Sequence, residues 1–566
     1  MRLVGRILVW LLATLGTLAL LAVAAAAFFV WQLRAERYEL PERILLTADW
    51  RSSLGETAGP PDLLDLQLQP PPTVTDTVLA LDAAAKDPRV RGLVVRLAET
   101  AHGFAVAQEL REAVLRFRAA GKFAVAEADT FGELGSGNEG YYIATAFESI
   151  ALQPGGLVGL TGIAVQVPLA RDLLASLGIR VEVLRRAEFK SAFESLTDSE
   201  LSGANREQLE ALLDSLNGQL VTGIAEQRRL SKEEVQALID RGPLSADEAK
   251  EAKLVDALYY HDKVMAAALG RAQDAMAVDL ESYLAAGLPS FGQAQAHIAL
   301  VRAAGLVRRG SGALGMEIAA DDLVETLGEL AHDPEVGAVL LRLDTGGGSA
   351  VASESIRHAL LKLRSAGKPV VVSMGNSAAS GGYWIAMGAD RVVAEPATLT
   401  GSIGVIGGKP VLEEAWRKLG VNWATITRGA HAADWSINRP FSDSARARVD
   451  ALIGWLYGRF TSLVAEARDL PRERVDQLAR GRVWSGEDAA RLGLVDETGG
   501  LDVALNAVRR LLELPQDAPL AIVMRPVESN PLRAFLRSLS PFAAQVAALL
   551  GLPQAGSALA PAIRLR

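Results

Sequence analysis

Short runs of apolar residues alternate along this chain with longer stretches in which apolar residues recur every three or four positions. Gly92–Leu97 and Ala338–Leu343 are Val/Leu-rich runs of the kind that forms buried parallel strands. Each is followed by a stretch with helical periodicity, Ala105–Ala120 and Ala352–Ala366 respectively. Further predicted strands are Phe123–Glu127, Ser149–Gln153, Pro369–Met374 and Arg391–Glu395, and further predicted helices are Asn205–Gln227 and Ser444–Ala467. The pattern predicts an α/β protein with helices covering a parallel sheet.

The pattern occurs twice because the chain contains an internal repeat. Asp87–Leu97 matches Asp333–Leu343 at an offset of 246 residues. The offset then drops to 242, where Tyr141 matches Tyr383, and later to 240. A match that persists at a nearly fixed offset indicates a tandem duplication. We therefore predict a first domain over 41–287 and a second over 288–526, with a tail over 527–566.

The N-terminal residues 1–40 contain an apolar segment. No charged residue occurs from Ile7 to Val30, and such a run is long enough to span the roughly 30 Å hydrocarbon core of a bilayer. A cleaved signal peptide is the alternative, since Ala22-Val23-Ala24 resembles a cleavage site. The apolar run continues past that site, which favours a retained transmembrane helix. Arg2, Arg6 and the N-terminal amine favour an orientation with the domains outside the cytoplasm.

Composition narrows the possible functions. The 566 residues carry a net charge of −9, which argues against a role in nucleic-acid binding. No cysteine is present, so disulfides and thiol nucleophiles are excluded. The six histidines show no metal-binding spacing, and we predict neither a metal nor a cofactor.

The two copies differ most in the turn before the helix that carries the matched tyrosines. The second copy reads Ala-Ala-Ser-Gly-Gly-Tyr-Trp over 378–384, and the first copy has Asn138 and Glu139 in place of Ser380 and Gly381. A serine at a strand-to-helix turn can act as a nucleophile, because the helix N-terminus offers free N–H groups to an oxyanion. The alternative is that Ser380 only caps the helix.

A glycine-rich loop, Asp344-Thr345-Gly346-Gly347-Gly348-Ser349, follows the predicted strand of the second copy. Its N–H groups can converge on an anion, and the first copy lacks these glycines. Phosphate binding is the alternative, but no Gly-Lys-Ser/Thr completes a P-loop.

A lysine shows the opposite distribution. Lys190 lies in the first copy, and the second copy has Ala432 at that position. A lone lysine usually lies on a solvated surface, but a desolvated lysine can act as a general base for serine. If the first copy supplies the base and the second supplies the serine, this explains why the first copy lacks the serine and why the second lacks the lysine. We therefore predict that Lys190 and Ser380 meet.

These segments resemble the signal peptide peptidase A family, peptidase family S49, in its long two-copy form. The matching stretches are Ala378–Trp384, Thr400–Val405, Phe189–Thr197 and Gly481–Asp496. The resemblance covers about residues 40 to 525 together with the N-terminal anchor. It implies tandem ClpP/crotonase-like domains preceded by one transmembrane helix.

The resemblance also implies a role for each site residue. Ser380 would be the nucleophile, Lys190 the base and Ser402 a hydrogen-bond partner of the lysine. The N–H groups of Gly347 and Gly381 would form the oxyanion hole. The family usually has proline where this chain has Gly346, and glycine gives the loop more freedom in the unfolded chain.

The implied enzyme is a serine endopeptidase that degrades signal peptides left in the membrane after secretion. It would be a homotetramer in the bacterial inner membrane, with its domains on the periplasmic side. Two alternatives are a CoA-thioester enzyme of the crotonase superfold and a catalytically inactive membrane scaffold. The complementary distribution of Ser380 and Lys190 favours the peptidase over both.

Overall fold

Two sheets, one from each copy of the repeat, form the framework of the protein. The computed structural model describes Gly16 and residues 39–57, 71–133, 135–289, 292–312 and 317–525. The predicted membrane anchor, apart from Gly16, and the tail over 527–566 lie outside these residues. Within the described part of the chain, no helix combines the length and the apolar character needed to cross a bilayer.

The first copy provides nine strands and ten helices within the described residues. The strands are β1 (Ile44–Asp49), β2 (Val90–Leu97), β3 (Phe123–Ala128), β4 (Ser149–Leu152), β5 (Leu157–Val158), β6 (Arg180–Arg185), β7 (Leu244–Ser245), β8 (Ala257–Leu258) and β9 (Met276–Asp279). The helices are α1 (Val74–Lys86), α2 (Phe104–Ala119), α3 (Asn138–Ala144), α4 (Arg171–Ser176), α5 (Glu194–Thr197), α6 (Gly203–Arg228), α7 (Lys232–Arg241), α8 (Ala246–Glu251), α9 (His261–Arg271) and α10 (Leu280–Ala285). Six of the strands form a parallel sheet in the order β8-β4-β3-β2-β1-β9.

The second copy repeats this arrangement in its described residues. The strands are β10 (Ala296–Ala304), β11 (Leu306–Arg308), β12 (Glu317–Ala319), β13 (Val336–Thr345), β14 (Val370–Ala379), β15 (Arg391–Ala394), β16 (Leu399–Gly401), β17 (Ile406–Val411), β18 (Val483–Ser485), β19 (Glu497–Thr498) and β20 (Leu520–Arg525). The helices are α11 (Ala320–His332), α12 (Ala350–Ser365), α13 (Gly381–Ala386), α14 (Glu413–Lys418), α15 (Asp443–Arg468), α16 (Arg472–Leu478), α17 (Gly486–Arg491) and α18 (Leu501–Leu511). The sheet runs β18-β16-β14-β13-β10-β20, with β15 beside β14 and β19 beside β15. Only the β16–β18 pair among these is antiparallel.

The repeated sequence signatures make the same contacts in both copies. Tyr141 donates its hydroxyl proton to the carbonyl of Leu254, and Tyr383 does the same to Leu494, both at 2.7 Å. Lys122 binds the carbonyl of Asp87, and Lys368 likewise binds that of Asp333. Buried hydroxyl, ammonium and carbonyl groups need hydrogen-bond partners, so the residues of each signature occur together in both copies. The predicted strands and helices are confirmed, with ends shifted by a few residues. The shared contacts are what the predicted duplication leads us to expect.

Buried charges join the two copies. The guanidinium of Arg342 on β13 is 2% exposed and contacts the carboxylates of Glu56 (2.6 Å) and Glu109 (2.5 Å). Both carboxylates come from the first copy. Removing one partner would leave a buried charge unpaired, which typically costs several kcal/mol (about 3–5). This ion cluster therefore fixes how the two copies meet.

A two-stranded antiparallel ribbon also joins the copies. Strand β6 of the first copy pairs with β17 of the second along their full lengths, from Arg180 opposite Val411 to Arg185 opposite Ile406. The ribbon ends five residues before Lys190 and four residues after Ser402 in sequence. It therefore holds a loop of the first copy against the strand ends of the second.

Candidate active site

Ser380 lies at a sharp turn between β14 and α13. Its backbone has φ +54° and ψ −113°, a conformation that costs a non-glycine residue conformational energy. The turn is closed by the Ser380 N–H, which donates to the carbonyl of Gly401 at 2.9 Å. The next two residues must be glycine, since a Cβ on Gly381 would lie 2.6 Å from Ser353 Oγ and one on Gly382 would lie 2.6 Å from Thr345 Cγ2. The turn thus presents the hydroxyl at the end of a rigid strand.

Lys190 lies in the loop between β6 and α5 and is 5% exposed. The loop packs closely on the second copy: a Cβ on Gly481 would lie 2.6 Å from Lys190 Cβ, and one on Gly404 would lie 3.1 Å from Lys190 Cδ. Burial lowers the pKa of Lys190 to about 8, because the surroundings replace water around the ammonium. The lysine is therefore much more easily deprotonated than one on the surface.

The lysine and both predicted serines are in contact. Lys190 Nζ lies 3.0 Å from Ser380 Oγ, 2.8 Å from Ser402 Oγ and 2.9 Å from the Ser402 carbonyl oxygen. Ser402 has φ +49°, and its N–H donates to the Arg482 carbonyl at 2.7 Å. When the amine is neutral, it can accept the proton of one hydroxyl while it remains bound to the other serine.

The glycine-rich loop lies beside the turn of Ser380. The N–H of Gly347 donates to Thr345 Oγ1 at 3.0 Å, so this group is already used. The N–H groups of Gly348 and Gly381 have no hydrogen-bond partner in the described part of the chain. The nitrogen of Gly348 lies 3.1 Å from where a Cβ on Gly381 would be. Two unpaired amides therefore lie close to the serine.

The first copy carries an anion at the corresponding place. Glu139 occupies the position of Gly381, and its carboxylate accepts from the N–H groups of His102 (2.8 Å) and Gly103 (2.9 Å). His102 is the counterpart of Gly348 at the offset of 246. The loop amides of the first copy thus bind the carboxylate of a side chain. In the second copy the Gly348 N–H is unpaired, whereas the Ser349 N–H, the counterpart of Gly103, donates to the Val307 carbonyl at 2.9 Å.

The first copy lacks the rest of this arrangement. Asn138, at the position of Ser380, donates to the Gly162 carbonyl (2.6 Å) and accepts from the Thr161 N–H (3.1 Å). Leu160, at the position of Ser402, is fully buried. Asn138 and Leu160 therefore stabilise the loops of the first copy. Their counterparts in the second copy, Ser380 and Ser402, contact Lys190 instead.

Sequence reasoning missed the polar residues behind Lys190. Gln208 and Asn205 on α6 are buried, and Gln208 Nε2 lies 2.8 Å from Ser191 Oγ. Their counterparts on α15, at the offset of 240, are Arg448 and Ala445. This difference between the copies could have indicated a role for Gln208 and Asn205. It was missed because polar residues of a long helix usually lie on its solvated face.

A strand-end serine, a buried amine and unpaired amides that lie close together are the groups of a hydrolase that works by nucleophilic acyl transfer. Comparison with known proteins identifies the family. The model of peptidase family S49 matches residues 117–273 and 362–515. The chain belongs to peptidase family S49 and is a serine peptidase.

Relatives that match this chain over more than two thirds of their own length support this assignment. Protease 4 of Salmonella typhi is 34% identical over 455 residues, which cover 78% of this chain and 72% of the relative. The chloroplastic serine protease SPPA of Arabidopsis thaliana is 31% identical over 461 residues, 79% of this chain and 67% of the relative. Among solved structures, a ClpP1 mutant from Listeria monocytogenes matches 36% of this chain and 94% of its own, at 16% identity and a TM-score of 0.25.

Proposed function

We propose that this peptidase uses Ser380 as its nucleophile and Lys190 as its general base. The observation that carries the proposal is the distance of 3.0 Å between Lys190 Nζ and Ser380 Oγ, across the two copies of the repeat. A serine alone is a weak nucleophile and needs a base within hydrogen-bond reach. A lysine with its pKa lowered to about 8 provides that base near neutral pH.

The chemistry would proceed by acyl transfer. Neutral Lys190 accepts the hydroxyl proton as Ser380 Oγ attacks the carbonyl carbon of the scissile peptide bond. The protonated lysine then gives this proton to the leaving amine. Water, activated by the same amine, attacks the ester and releases the acyl product. Ser402 orients Lys190 throughout, since two of the hydrogen bonds of Nζ go to this residue.

The tetrahedral intermediate needs N–H donors for its oxyanion. The resemblance implies Gly347 and Gly381 in this role, and Gly381 suits it because its N–H is unpaired. The Gly347 N–H already donates to Thr345, so we propose the adjacent Gly348 N–H as the second donor. The carboxylate of Glu139 supports this choice, since it occupies the corresponding place in the first copy.

We propose that the substrates are apolar peptides, including signal peptides left in a membrane. One relative, 33% identical over 184 residues, is named putative signal peptide peptidase SppA, from Enterococcus faecium; the match covers 32% of this chain and 54% of the relative. Exposed apolar side chains lie beside the glycine-rich loop: Leu306 is 65% exposed and Val351 is 62% exposed. Their neighbour Val307 pairs with the loop, since its N–H donates to the Gly347 carbonyl.

The proposal includes the location of the enzyme. The apolar segment Ile7–Val30 would anchor it in the bacterial inner membrane, with ClpP/crotonase-like domains over 41–287 and 288–526 on the periplasmic side. An anchored site would meet peptides that leave the bilayer. Carbonate extraction of membranes tests the anchor, because a spanning protein stays in the pellet and a cleaved one is released.

We propose that copies of the chain assemble head to tail, as the tetramer that the family resemblance implies. Within one chain, β6 pairs with β17; their counterparts at the offset of 242 are 422–427 and 164–169. Both counterparts lack a strand partner in the described residues, and Ile426 is 89% exposed and Val165 is 46% exposed. Exposed apolar segments whose counterparts pair as strands can pair with the same segments of another chain.

Light scattering of the detergent-solubilised protein tests the assembly. We expect Ile426→Lys and Val165→Lys to dissociate it into smaller species. Leu173→Lys, at an exposed apolar position on α4, serves as the control. An unchanged mass for both edge variants would contradict the head-to-tail arrangement.

Hydrolysis of a fluorogenic apolar peptide tests the catalytic proposal. We expect Ser380→Ala and Lys190→Ala each to lower kcat by several orders of magnitude, since members of a catalytic pair act as a unit. Ala192→Ser, at an exposed position two residues from Lys190 in the same loop, should retain activity. Full activity of either dyad variant would refute the assigned roles.

A further inference from the structure

Lys190 depends on its loop for its position. Its three ammonium protons match three acceptors, Ser380 Oγ and the two oxygens of Ser402, all within 3.0 Å. A displacement of about 1 Å at a reacting group can lower a rate about 100-fold. Whatever holds residues 189–191 against the second copy therefore controls the chemistry.

The side chain of Gln208 contacts both sides of this junction. Its Nε2 lies 2.8 Å from Ser191 Oγ and 3.3 Å from the Phe189 carbonyl, the residues on either side of Lys190. Its Oε1 accepts from the Val483 N–H at 3.3 Å. Because a backbone N–H can only donate, this contact places the oxygen toward Val483 and the nitrogen toward the lysine loop.

Val483 connects this contact to the serines. It lies on β18 opposite Gly401 of β16, and the Gly401 carbonyl accepts from the Ser380 N–H at 2.9 Å. Ser402 follows Gly401 directly. One buried amide thus bridges the loop of the base and the strand pair that holds the nucleophile and Ser402.

The second copy has no equivalent of this amide. Helices α6 and α15 both contain 26 residues and begin after a capping serine, Ser202 or Ser442. At the resulting offset of 240, Gln208 corresponds to Arg448, which is exposed. The amide therefore occurs in the copy that carries the lysine and is absent from the copy that does not.

We propose that Gln208 is a positioning residue that sets Lys190 against Ser380 and Ser402. This inference rests on the proposed dyad and adds a residue that touches neither the substrate nor the reacting atoms. Without its two-sided contact, the loop of the base can shift relative to β16, and water can enter beside the ammonium.

The test compares Gln208→Met with Gln108→Met. Methionine is similar in size to glutamine but cannot make these hydrogen bonds. Gln108 is also buried and also bridges the copies, since it accepts from the Ala397 N–H, but its contacts do not involve the lysine loop. We expect Gln208→Met to lower kcat about 10- to 100-fold with KM changed less than about twofold. The acid limb of its pH–rate profile should move to higher pH, because water restores the basicity of Lys190.

A second variant, Ser191→Ala, removes the same 2.8 Å hydrogen bond from the loop side and leaves the helix intact. It should show a smaller loss of kcat, and the double variant should be no slower than Gln208→Met alone. Wild-type kcat and pH profile in both single variants, or equal effects of Gln208→Met and Gln108→Met, would overturn the inference. If the Lys190→Ala variant is itself fully active, the proposed dyad fails instead, and the two failures are distinguishable.

Discussion

The lowered pKa of Lys190 makes a quantitative prediction about pH. With a pKa of about 8, roughly one lysine in ten is neutral at pH 7. At the ordinary value of 10.5, about three in ten thousand would be neutral. Burial therefore supplies about 300-fold more of the reactive form. We expect kcat/KM to rise about tenfold per pH unit below pH 8 and to level off above it.

The rise of kcat/KM below pH 8 is the acid limb of the pH–rate profile. Replacing the amine chemically tests whether the titration of Lys190 causes this acid limb. The chain contains no cysteine, so a thiol introduced by Lys190→Cys can be alkylated without competing thiols. Treatment with 2-bromoethylamine then rebuilds a side chain of the same length with sulfur in place of one methylene. Sulfur withdraws electrons and makes the amine less basic. The alkylated enzyme should recover activity, and its acid limb should lie at lower pH than that of the wild type.

The assay is hydrolysis of a fluorogenic apolar peptide from pH 6 to pH 10, with alkylation verified by mass spectrometry. Unmodified Lys190→Cys should be inactive throughout this range. Wild-type protein exposed to the same reagent is the control, and its profile should not change. A limb that stays at the same pH after alkylation, or activity in the unmodified variant, would refute the reasoning.

Three further predictions concern the same site. Ser402→Ala should lower kcat about 10- to 100-fold, since a hydrogen bond to a charged group typically contributes about 1.5–3 kcal/mol; steady-state kinetics measures this, and an unchanged kcat would contradict the role of Ser402. Gly481→Ala should abolish activity and lower the midpoint of thermal unfolding. Its φ of +81° disfavours a side chain, and the new Cβ would lie 2.6 Å from Lys190 Cβ. Wild-type activity and thermal stability would show that the Lys190 loop can move to accommodate the methyl group. Lys190→Met should raise the free energy of unfolding by up to about 3 kcal/mol below pH 8, where the folded chain must bury the ammonium. This advantage should shrink as the pH rises from 8 toward 10.5, where the folded lysine is neutral and the unfolded one still charged; urea unfolding at several pH values checks it, and an advantage that does not depend on pH would exclude this cause.

Most of the core was predictable because burial leaves a local pattern. Strand β13 was predicted over Ala338–Leu343 and extends only two residues further at each end. Strand β14 continues five residues past its predicted end at Met374. Its last residues have low strand propensity, but Ser377–Ala379 pair with β16 and the Ser377 N–H binds the Asp344 carboxylate. Such distant contacts cannot be read from a local pattern.

The site was predictable only as far as the copies could be compared. That comparison singled out Lys190 and Ser380, and the structure holds them 3.0 Å apart. It could not distinguish one glycine of the loop from the next, because their difference depends on the hydroxyl of Thr345. The β6–β17 ribbon was also not predicted, since pairing between segments more than 200 residues apart follows from tertiary structure alone.

If Ser380 and Lys190 act as proposed, the first copy could not become a second catalytic centre through one substitution. Serine at position 138 would lose the amide of Asn138, which holds the Thr161 and Gly162 loop. The carboxylate of Glu139 would still accept hydrogen bonds from the backbone amides to which an oxyanion would bind. The second copy offers Ala432 where a base would be needed. Asn138 and Glu139 thus stabilise the 161–162 and 102–103 loops of the first copy, whereas Lys190 lies in a different loop, between β6 and α5. On the proposed mechanism, the first copy therefore contributes one amine to the site of the second copy, while its own side chains bind the loop amides that correspond to that site.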